Sequence, residues 1–394
     1  MLITFKNTMI NNPTIKITDP LEYIVSNAEK GFETIYALSN NEYITVRLNS
    51  VNSKYIANYR TYLLPHLQNL SQKINNFFLK YPDFASNKEN FYTEFKVKKR
   101  KLDEHGNVRW RKLVNPMPEL KQIQKEICET LKRCNVLPHN AAHGFVENRD
   151  FYTNAALHRC SNHIINLDLK DFFDNIKADL LREKLKLHPI FNLNEQFTDP
   201  LLDKIIILAT YKGSTPQGSP LSPYLSNIFL QEFDYEVRQA LNETGTAIIY
   251  TRYADDMSFS SKRSLDITNI IHIVENVLHT YYNDEIKINY NKTKKIVPGQ
   301  CFITGIKLNQ EHKLTIGWKK KQELKGRIHT LANQIETLEL PIDDLIEKSL
   351  SVNGYLAFLH RVEPDYYKTL NIKYSKELIT IDVFLDINYF NKNA

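Results

Sequence analysis

Apolar and polar positions along this chain follow two periods, and the switches between them mark its elements. From Tyr62 to Phe78 the apolar residues recur every three or four positions, the period of an amphipathic helix. Leu120, Ile123, Ile127 and Leu131 fall at i, i+3, i+7 and i+11, on one face of a second helix. Shorter runs follow strand habits. Tyr43 to Leu48 is one. Phe91 to Leu113 reads as two strands around a turn at His105-Gly106-Asn107, with basic residues on both arms and Pro116 and Pro118 closing it. Ile164 to Leu169 is a strand carrying Asp168 at its end, and Asp171 to Ile176 is the entry to a helix. A mixed helical region reaches about Thr210. Gly213 to Pro223 is then rich in Gly, Ser and Pro. It leads into a helix with Ser222 as its expected N-cap, Pro223 at its first position, and Leu225, Ile228, Phe229 and Phe233 as its apolar stripe. Ala247 to Tyr253 and Met257 to Ser261 are β-rich and separated only by Ala254-Asp255-Asp256, which predicts a hairpin with carboxylates at its tip. A helix near Leu265 to Tyr282, a strand at Ile286 to Asn289, a hairpin over Cys301 to Leu308 and a mostly helical remainder complete the pass.

This order predicts a mixed α/β (α+β) protein with no internal repeat. Composition narrows the class further. A hydrophobic share of 42% with 24% charged residues is that of a globular chain, neither disordered nor fibrous. The start, Met1 to Asn12, lacks the basic and apolar regions of a signal peptide. Apolar runs such as Ile205 to Leu208 are too short to cross a bilayer. A cytoplasmic protein with no membrane partner is the expectation. The four cysteines form no C-x-x-C pair, which favours reduced, buried thiols. Net charge is +6, and the basic residues bunch at Lys96 to Lys101, Lys292 to Lys295 and Lys319 to Arg327. One such run is usually a solvated face; three beside one another's chemistry suit a phosphate backbone.

The chemistry lies in three carboxylates at the ends of β elements: Asp168, Asp255 and Asp256. Joining a 3′-hydroxyl to the α-phosphate of a nucleotide requires removing a proton from the attacking oxygen and neutralising charge on the departing pyrophosphate. Two divalent ions about 3.5–4 Å apart can do both. Mg²⁺ takes oxygen ligands and keeps waters, so a few Asp side chains plus substrate phosphates suffice. Asp-Asp alone is more often an ordinary turn, and a lone strand-end Asp is as often a helix cap. The order of segments decides between these readings.

Asn166-Leu167-Asp168-Leu169-Lys170-Asp171-Phe172-Phe173, then Pro216-Gln217-Gly218-Ser219-Pro220, then Tyr253-Ala254-Asp255-Asp256 resemble motifs A, B and C of reverse transcriptases. Arg111-Lys112-Leu113-Val114-Asn115-Pro116 with Leu120, Lys121 and Gln124 resembles their fingers motif. Ile288-Asn289 with Lys292-Thr293 resembles motif D. The resemblance spans about residues 91 to 370. It implies a right-hand polymerase with fingers, palm and a mostly helical thumb. Fingers are expected at 86–160 and 179–215, palm at 161–178 and 216–308, thumb at 309–394, with 1–85 an extension of unknown role. It implies two Mg²⁺ ions, with Mn²⁺ as a substitute, held by Asp168, Asp255, Asp256 and the Leu169 carbonyl. Arg111 would pair with the incoming triphosphate, helped by a basic residue between Lys98 and Lys101. Asp171, Phe172 and Phe173 would line the triphosphate and sugar pocket, with Phe173 under the deoxyribose. Gln217 and Gly218 would flank the nascent base pair, and Lys292 would protonate the pyrophosphate.

Asn154-Ala155-Ala156-Leu157-His158 matches the N-A-x-x-H signature of bacterial retron reverse transcriptases, and Ile303-Thr304-Gly305 stands where those enzymes carry V-T-G. That resemblance implies a structured non-coding RNA as template and, through a 2′-hydroxyl, as primer. It also implies a single-stranded DNA product, an effector protein and a role in anti-phage defence. Asn154, His158, Thr304, Gly305, Lys319, Lys320, Lys321, Lys325 and Arg327 are the expected RNA contacts. Two other readings share the motifs: a solo defence-associated reverse transcriptase with another RNA and priming mode, and an inert RNA-binding scaffold on a polymerase fold.

Overall fold

The computed structural model describes the backbone of residues 2–5, 14–16, 23–28, 32–39 and 42–48. From Ser53 it describes the chain to Phe390, apart from 99–105, 135, 193–194 and 297–300. Side chains are described from residue 63 onward, save 189, 192, 195–196, 294–296 and 390. Five strands come first: β1 (Leu2–Phe5), β2 (Thr14–Lys16), β3 (Tyr23–Ala28), β4 (Phe32–Ser39) and β5 (Glu42–Leu48). Helix α1 (Ser53–Lys80), the pair β6 (Tyr92–Lys98) and β7 (Trp110–Pro116), α2 (Pro118–Arg133) and the short α3 (Phe151–Leu157) follow. Next are β8 (His163–Asp168), α4 (Phe172–Asn175), α5 (Ala178–Lys186), α6 (Glu195–Ala209), α7 (Leu221–Phe229) and α8 (Gln231–Glu243). The hairpin β9 (Ile249–Tyr253) and β10 (Asp256–Ser261) precedes α9 (Ile267–Tyr282). Four short strands, β11 (Lys294–Ile296), β12 (Cys301–Ile303), β13 (Ile306–Leu308) and β14 (Leu314–Thr315), lead to α10 (Trp318–Thr337), α11 (Ile342–Val362), α12 (Pro364–Lys373) and α13 (Ser375–Leu385).

The chain divides into two compact units. One comprises Met1–Glu147, Asp168–Gly245 and Thr268–Asn291; the other comprises Asn148–Leu167, Thr246–Ile267 and Lys292–Ala394.

In the first unit the five N-terminal strands form an antiparallel sheet of order β2-β1-β5-β4-β3. β6 and β7 pair from Tyr92↔Pro116 to Lys98↔Trp110. The predicted face of α2 is the buried one: Leu120, Ile123, Ile127 and Leu131 all face inward. Gln124 is buried among them, and its amide is fully employed. Nε2 donates to the Tyr92 hydroxyl (3.1 Å) and the Leu208 carbonyl (2.9 Å), and Oε1 accepts from Ser219 Oγ (3.0 Å). A buried amide is tolerable only when satisfied in this way. It joins β6, α6 and the Gly-Ser-Pro segment to α2.

Three sequence expectations need correction here. The helix after the Gly-Ser-Pro segment starts at Leu221 with Pro220 as cap, and Ser222 lies inside its first turn, buried, with no partner for Oγ among the described residues. The capping oxygen is that of Ser219, which accepts from the Leu221 amide at 3.2 Å. The stripe Leu225, Ile228, Phe229 and Phe233 is buried as expected, yet it spans two helices rather than one. The Tyr282 hydroxyl accepts from the Phe233 amide (3.2 Å) and donates to the Phe229 carbonyl (2.9 Å). A side chain inserted into the i→i−4 ladder bends a helix, and this one separates α7 from α8. Finally, Ile286 to Asn289 is no strand. It makes a single bridge, Leu169↔Ile288, flanked by two backbone bonds.

In the second unit the sheet order is β11-β8-β10-β9, with β12-β13-β14 as a separate small sheet. Helices α10 to α13 bury Leu324, Ile328, Leu345, Val352, Leu359 and Ile381 in a core that extends through Cys301 and Ile303 to Ala155 and Ile164. Among the described residues no helix is long and apolar enough to cross a membrane.

Candidate active site

The hairpin β9–β10 is the sharpest feature of the second unit. Tyr253 pairs with Asp256, so the chain reverses through two residues, Ala254 and Asp255. The sequence put Asp256 in the loop; it is instead the first residue of β10. Ala254 takes φ +56°, a left-handed conformation that a tight reversal demands and that an L side chain resists. Asp255 is half-buried and Asp256 exposed. Beneath the turn lies Arg252, wholly buried, whose Nη1 donates to the Ala254 carbonyl at 3.0 Å. Strand alternation sorts the rest. Tyr250 and Phe259 pair across the hairpin and stack at 5.0 Å with 21° between the rings. Asp256, Ser258 and Ser260 take the opposite face. Burial, and after it the charge of Asp150, raises the Tyr253 hydroxyl above the usual tyrosine range and keeps it a proton donor.

Asp168 closes β8 and is 3% exposed. Its Oδ1 accepts from Asn289 Nδ2 at 3.0 Å, and its carbonyl accepts from the Asn289 amide at 2.7 Å. The adjoining turn places Asp171 at φ +43°, exposed, just ahead of α4. Phe172 is buried and Phe173 half-buried. They sit on one helical turn rather than on an extended segment, so their divergence comes from the 100° step of a helix, not from strand alternation. The Phe173 carbonyl accepts from Thr215 Oγ1 at 2.9 Å, which ties this turn to the Gly-Ser-Pro segment.

That segment is fixed to β7 by its backbone. The Val114 amide donates to the Gln217 carbonyl at 2.8 Å. Gly218 follows at φ +115°, and a Cβ there would stand 2.1 Å from the Val114 carbonyl oxygen. The close approach at this glycine is to strand β7. Arg111 lies on the exposed part of β7, opposite Val97. Lys98 ends β6; Lys99, Arg100 and Lys101 lie outside the described residues. Lys292 is exposed at the end of a 3-10 turn.

The residues expected to touch RNA divide into two sets. Asn154 and His158 are 1% and 0% exposed, so neither presents its side chain to solvent. Thr304 and Gly305 form the two-residue turn between β12 and β13, both at positive φ, and Thr304 Oγ1 donates to the Phe151 carbonyl at 2.7 Å. The burial of Asn154 and His158 corrects the expectation of RNA contact for those two, whereas Thr304 is half-buried and Gly305 exposed. The basic set lies on α10. Lys319 is exposed. Lys320 donates to the Gly305 carbonyl at 3.0 Å, and Arg327 to Ser351 Oγ at 2.8 Å while lying over Tyr355. Lys321 is committed to Glu363 at 2.5 Å and to the Tyr366 ring at 4.2 Å, with Lys325 at 5.9 Å from the same ring.

Asp255 and Asp256 offer only oxygen donors, the kind of ligand a hard divalent cation takes. Among the described residues no three His, Cys, Asp or Glu side chains form a self-sufficient metal cage. Mg²⁺ in nucleotidyl transfer is held by one or two carboxylates with substrate phosphates and water, so carboxylates alone need not enclose it.

The two strained positions make opposite predictions. Ala254→Gly relieves a left-handed alanine and should leave thermal stability unchanged or raise it by up to about 1 kcal/mol. Gly218→Ala should cost about 2–4 kcal/mol, because both φ and the Val114 carbonyl oppose a Cβ. Urea unfolding of both variants reads this; a Gly218→Ala protein as stable as wild type would contradict the described approach.

The family model for "Reverse transcriptase (RNA-dependent DNA polymerase)" matches residues 97–326, more than half of the chain. The retron Ec83 reverse transcriptase of Escherichia coli is 29% identical over 315 residues, 76% of this chain and 93% of the relative. The retron Ec73 enzyme of the same organism is 29% identical over 276 residues, 68% of this chain and 84% of the relative. A solved telomerase from Candida albicans aligns over 74% of this chain and 58% of its own, with 13% identity and a TM-score of 0.39, too distant to carry an argument. With the motif segments ordered as they are on β8, the Gly-Ser-Pro segment and the β9–β10 hairpin, the chain belongs to the reverse transcriptase family and is an RNA-directed DNA polymerase of the retron type.

Proposed function

We propose that this polymerase copies part of a structured non-coding RNA into single-stranded DNA, in anti-phage defence, using Asp168, Asp255, Asp256 and the Leu169 carbonyl to hold two Mg²⁺ ions. The observation that carries this reading is the two-residue turn that sets two consecutive carboxylates at the head of β10, the neighbour of β8 in one sheet. When bound, the ions would acidify the primer 3′-hydroxyl and neutralise charge on the departing pyrophosphate. The remaining roles belong to the chain itself. Exposed Arg111 offers a planar fork of donors to the incoming triphosphate. Gln217 and Gly218, fastened to β7, flank the nascent base pair. Lys292 supplies a proton to the leaving group. Lys319, Lys325 and Arg327 on α10 contribute positive charge toward the partner RNA, which also serves as primer. Residues 86–160 and 179–215 act as fingers, 161–178 and 216–308 as palm and 309–394 as thumb.

The direct test replaces Asp255 and Asp256 with Asn. Mg²⁺-dependent primer extension should fall by at least about a thousandfold, with protection against phage lost and co-purifying RNA retained. Continued extension by this protein would overturn the metal assignment; loss of RNA with it would point to a scaffold role.

Phe173 has a separate, readable role. It is half-buried beside buried Phe172, which supports the reading that its ring lies under the sugar and excludes a 2′-hydroxyl. Phe173→Ala should raise ribonucleotide over deoxyribonucleotide incorporation by at least about tenfold, a change of about 1.4 kcal/mol in discrimination. Phe172→Ala should cost about 3 kcal/mol of stability and leave the ratio alone. A ratio that moves with Phe172 and not Phe173 would contradict this assignment.

A further inference from the structure

His158 ends α3 and is fully buried, and both of its ring nitrogens are used. Nδ1 lies 2.6 Å from Ser260 Oγ on β10, and Nε2 lies 2.7 Å from Thr251 Oγ1 on β9. Ser260 Oγ is also 2.9 Å from Ser161 Oγ. The two hydroxyls flank the turn symmetrically in sequence, Thr251 four residues before Asp255 and Ser260 four residues after Asp256. They share a face of the hairpin, since Thr251 pairs with Ser258 and Ser260 lies two residues beyond it. That is also the face of Asp256. One imidazole therefore spans both strands on the carboxylate side. Ser258 Oγ adds a bond to Asn166 Oδ1 on β8 at 3.1 Å, and Asn166 Nδ2 donates to the Phe302 carbonyl at 3.1 Å. This polar layer lies within the second unit. A satisfied network there fixes geometry more tightly than apolar packing, because each lost bond strands a buried partner.

Helix α3 is itself held from the other end. Asp150 caps it, accepting from the Thr153 amide at 2.7 Å, and receives Arg361 Nε from α11 at 2.9 Å. Thr304 accepts a left-handed conformation unusual for a β-branched residue, and its hydroxyl reaches the Phe151 carbonyl. His312 Nδ1 lies 2.9 Å from the Arg159 carbonyl, just past the helix. The helix is pinned at its first turn by the C-terminal helices and the β12–β13 turn, and at its C-terminal cap by the hairpin.

We propose that His158 is a positioning residue for catalysis: through Thr251 and Ser260 it fixes the hairpin so that Asp255 and Asp256 stand in register for cation binding. This assigns an internal mechanical role to the N-A-x-x-H and I-T-G segments, and it rests on the reading that those carboxylates hold the ions.

The test uses the full chain with poly(rA)·oligo(dT) and dTTP. Thr251→Val and Ser260→Ala each remove one bond to the ring, and Thr251→Ser keeps it. Thr251→Val and Ser260→Ala should lower kcat by at least about fivefold and raise the Mg²⁺ concentration for half-maximal rate by at least about threefold. Affinity for the primer–template should stay within about twofold, and Thr251→Ser should restore both kinetic values. In metal-free protein, amide hydrogen exchange across residues 249–261 should quicken at least about tenfold in Thr251→Val. His158→Ala should show the same pattern more strongly; if it does not fold, the hydroxyl variants decide alone. An unchanged Mg²⁺ response with unchanged exchange would overturn the proposal. So would a loss confined to primer–template affinity, which would make His158 act through RNA. Extension surviving Asp255→Asn would instead remove the metal reading beneath it, a separate failure.

Discussion

The pairing of Tyr253 with Asp256 leaves the chain two residues in which to reverse, and most of the second unit can be understood as what that reversal requires. One residue of the turn must accept a left-handed backbone, and Ala254 does. Its carbonyl points back into the protein, where a buried polar group needs a partner, and the wholly buried Arg252 provides one. A guanidinium enclosed in this way is costly unless its donors are occupied, so the hairpin cannot shift without exposing a larger penalty than the turn itself carries. In exchange, two adjacent carboxylates are fixed, Asp255 in a two-residue turn and Asp256 at the first position of β10. Rigid elements hold catalytic groups to finer tolerance than loops do.

Much of this was legible in the residues. Periodicity located α2, which buries a single face and must therefore repeat its apolar residues at the helical interval, while the β9–β10 hairpin, buried on both faces, was read from two β-rich runs about a short turn. The motif segments also stood in their chain order, and the family match over residues 97–326 agrees with that reading.

What was not legible depends on partners far away in sequence. Nothing near Leu230 announces a helix break, since the agent is the hydroxyl of Tyr282, some fifty positions on. Ser222 was a better capping residue by composition than Pro220, yet Ser219 was already placed to take the Leu221 amide. His158 and Thr304 looked like surface readers of RNA because polar residues in signature motifs usually face a ligand. His158 is buried against the hydroxyls of Thr251 and Ser260, and half-buried Thr304 is tied to the Phe151 carbonyl, partners that no local pattern can supply. Likewise Lys321 belongs to a basic run in sequence but is neutralised in space by Glu363.

The central claim is that the carboxylates at this turn hold divalent cations for DNA synthesis. Counting them is the most direct measurement. Electron paramagnetic resonance of free Mn²⁺ can be titrated against the protein bound to poly(rA)·oligo(dT) with a dideoxy-terminated primer and dTTP. About two tightly held ions per chain are expected, and loss of at least one when Asp255 and Asp256 are both Asn. Equal stoichiometry and affinity in the two proteins would contradict it.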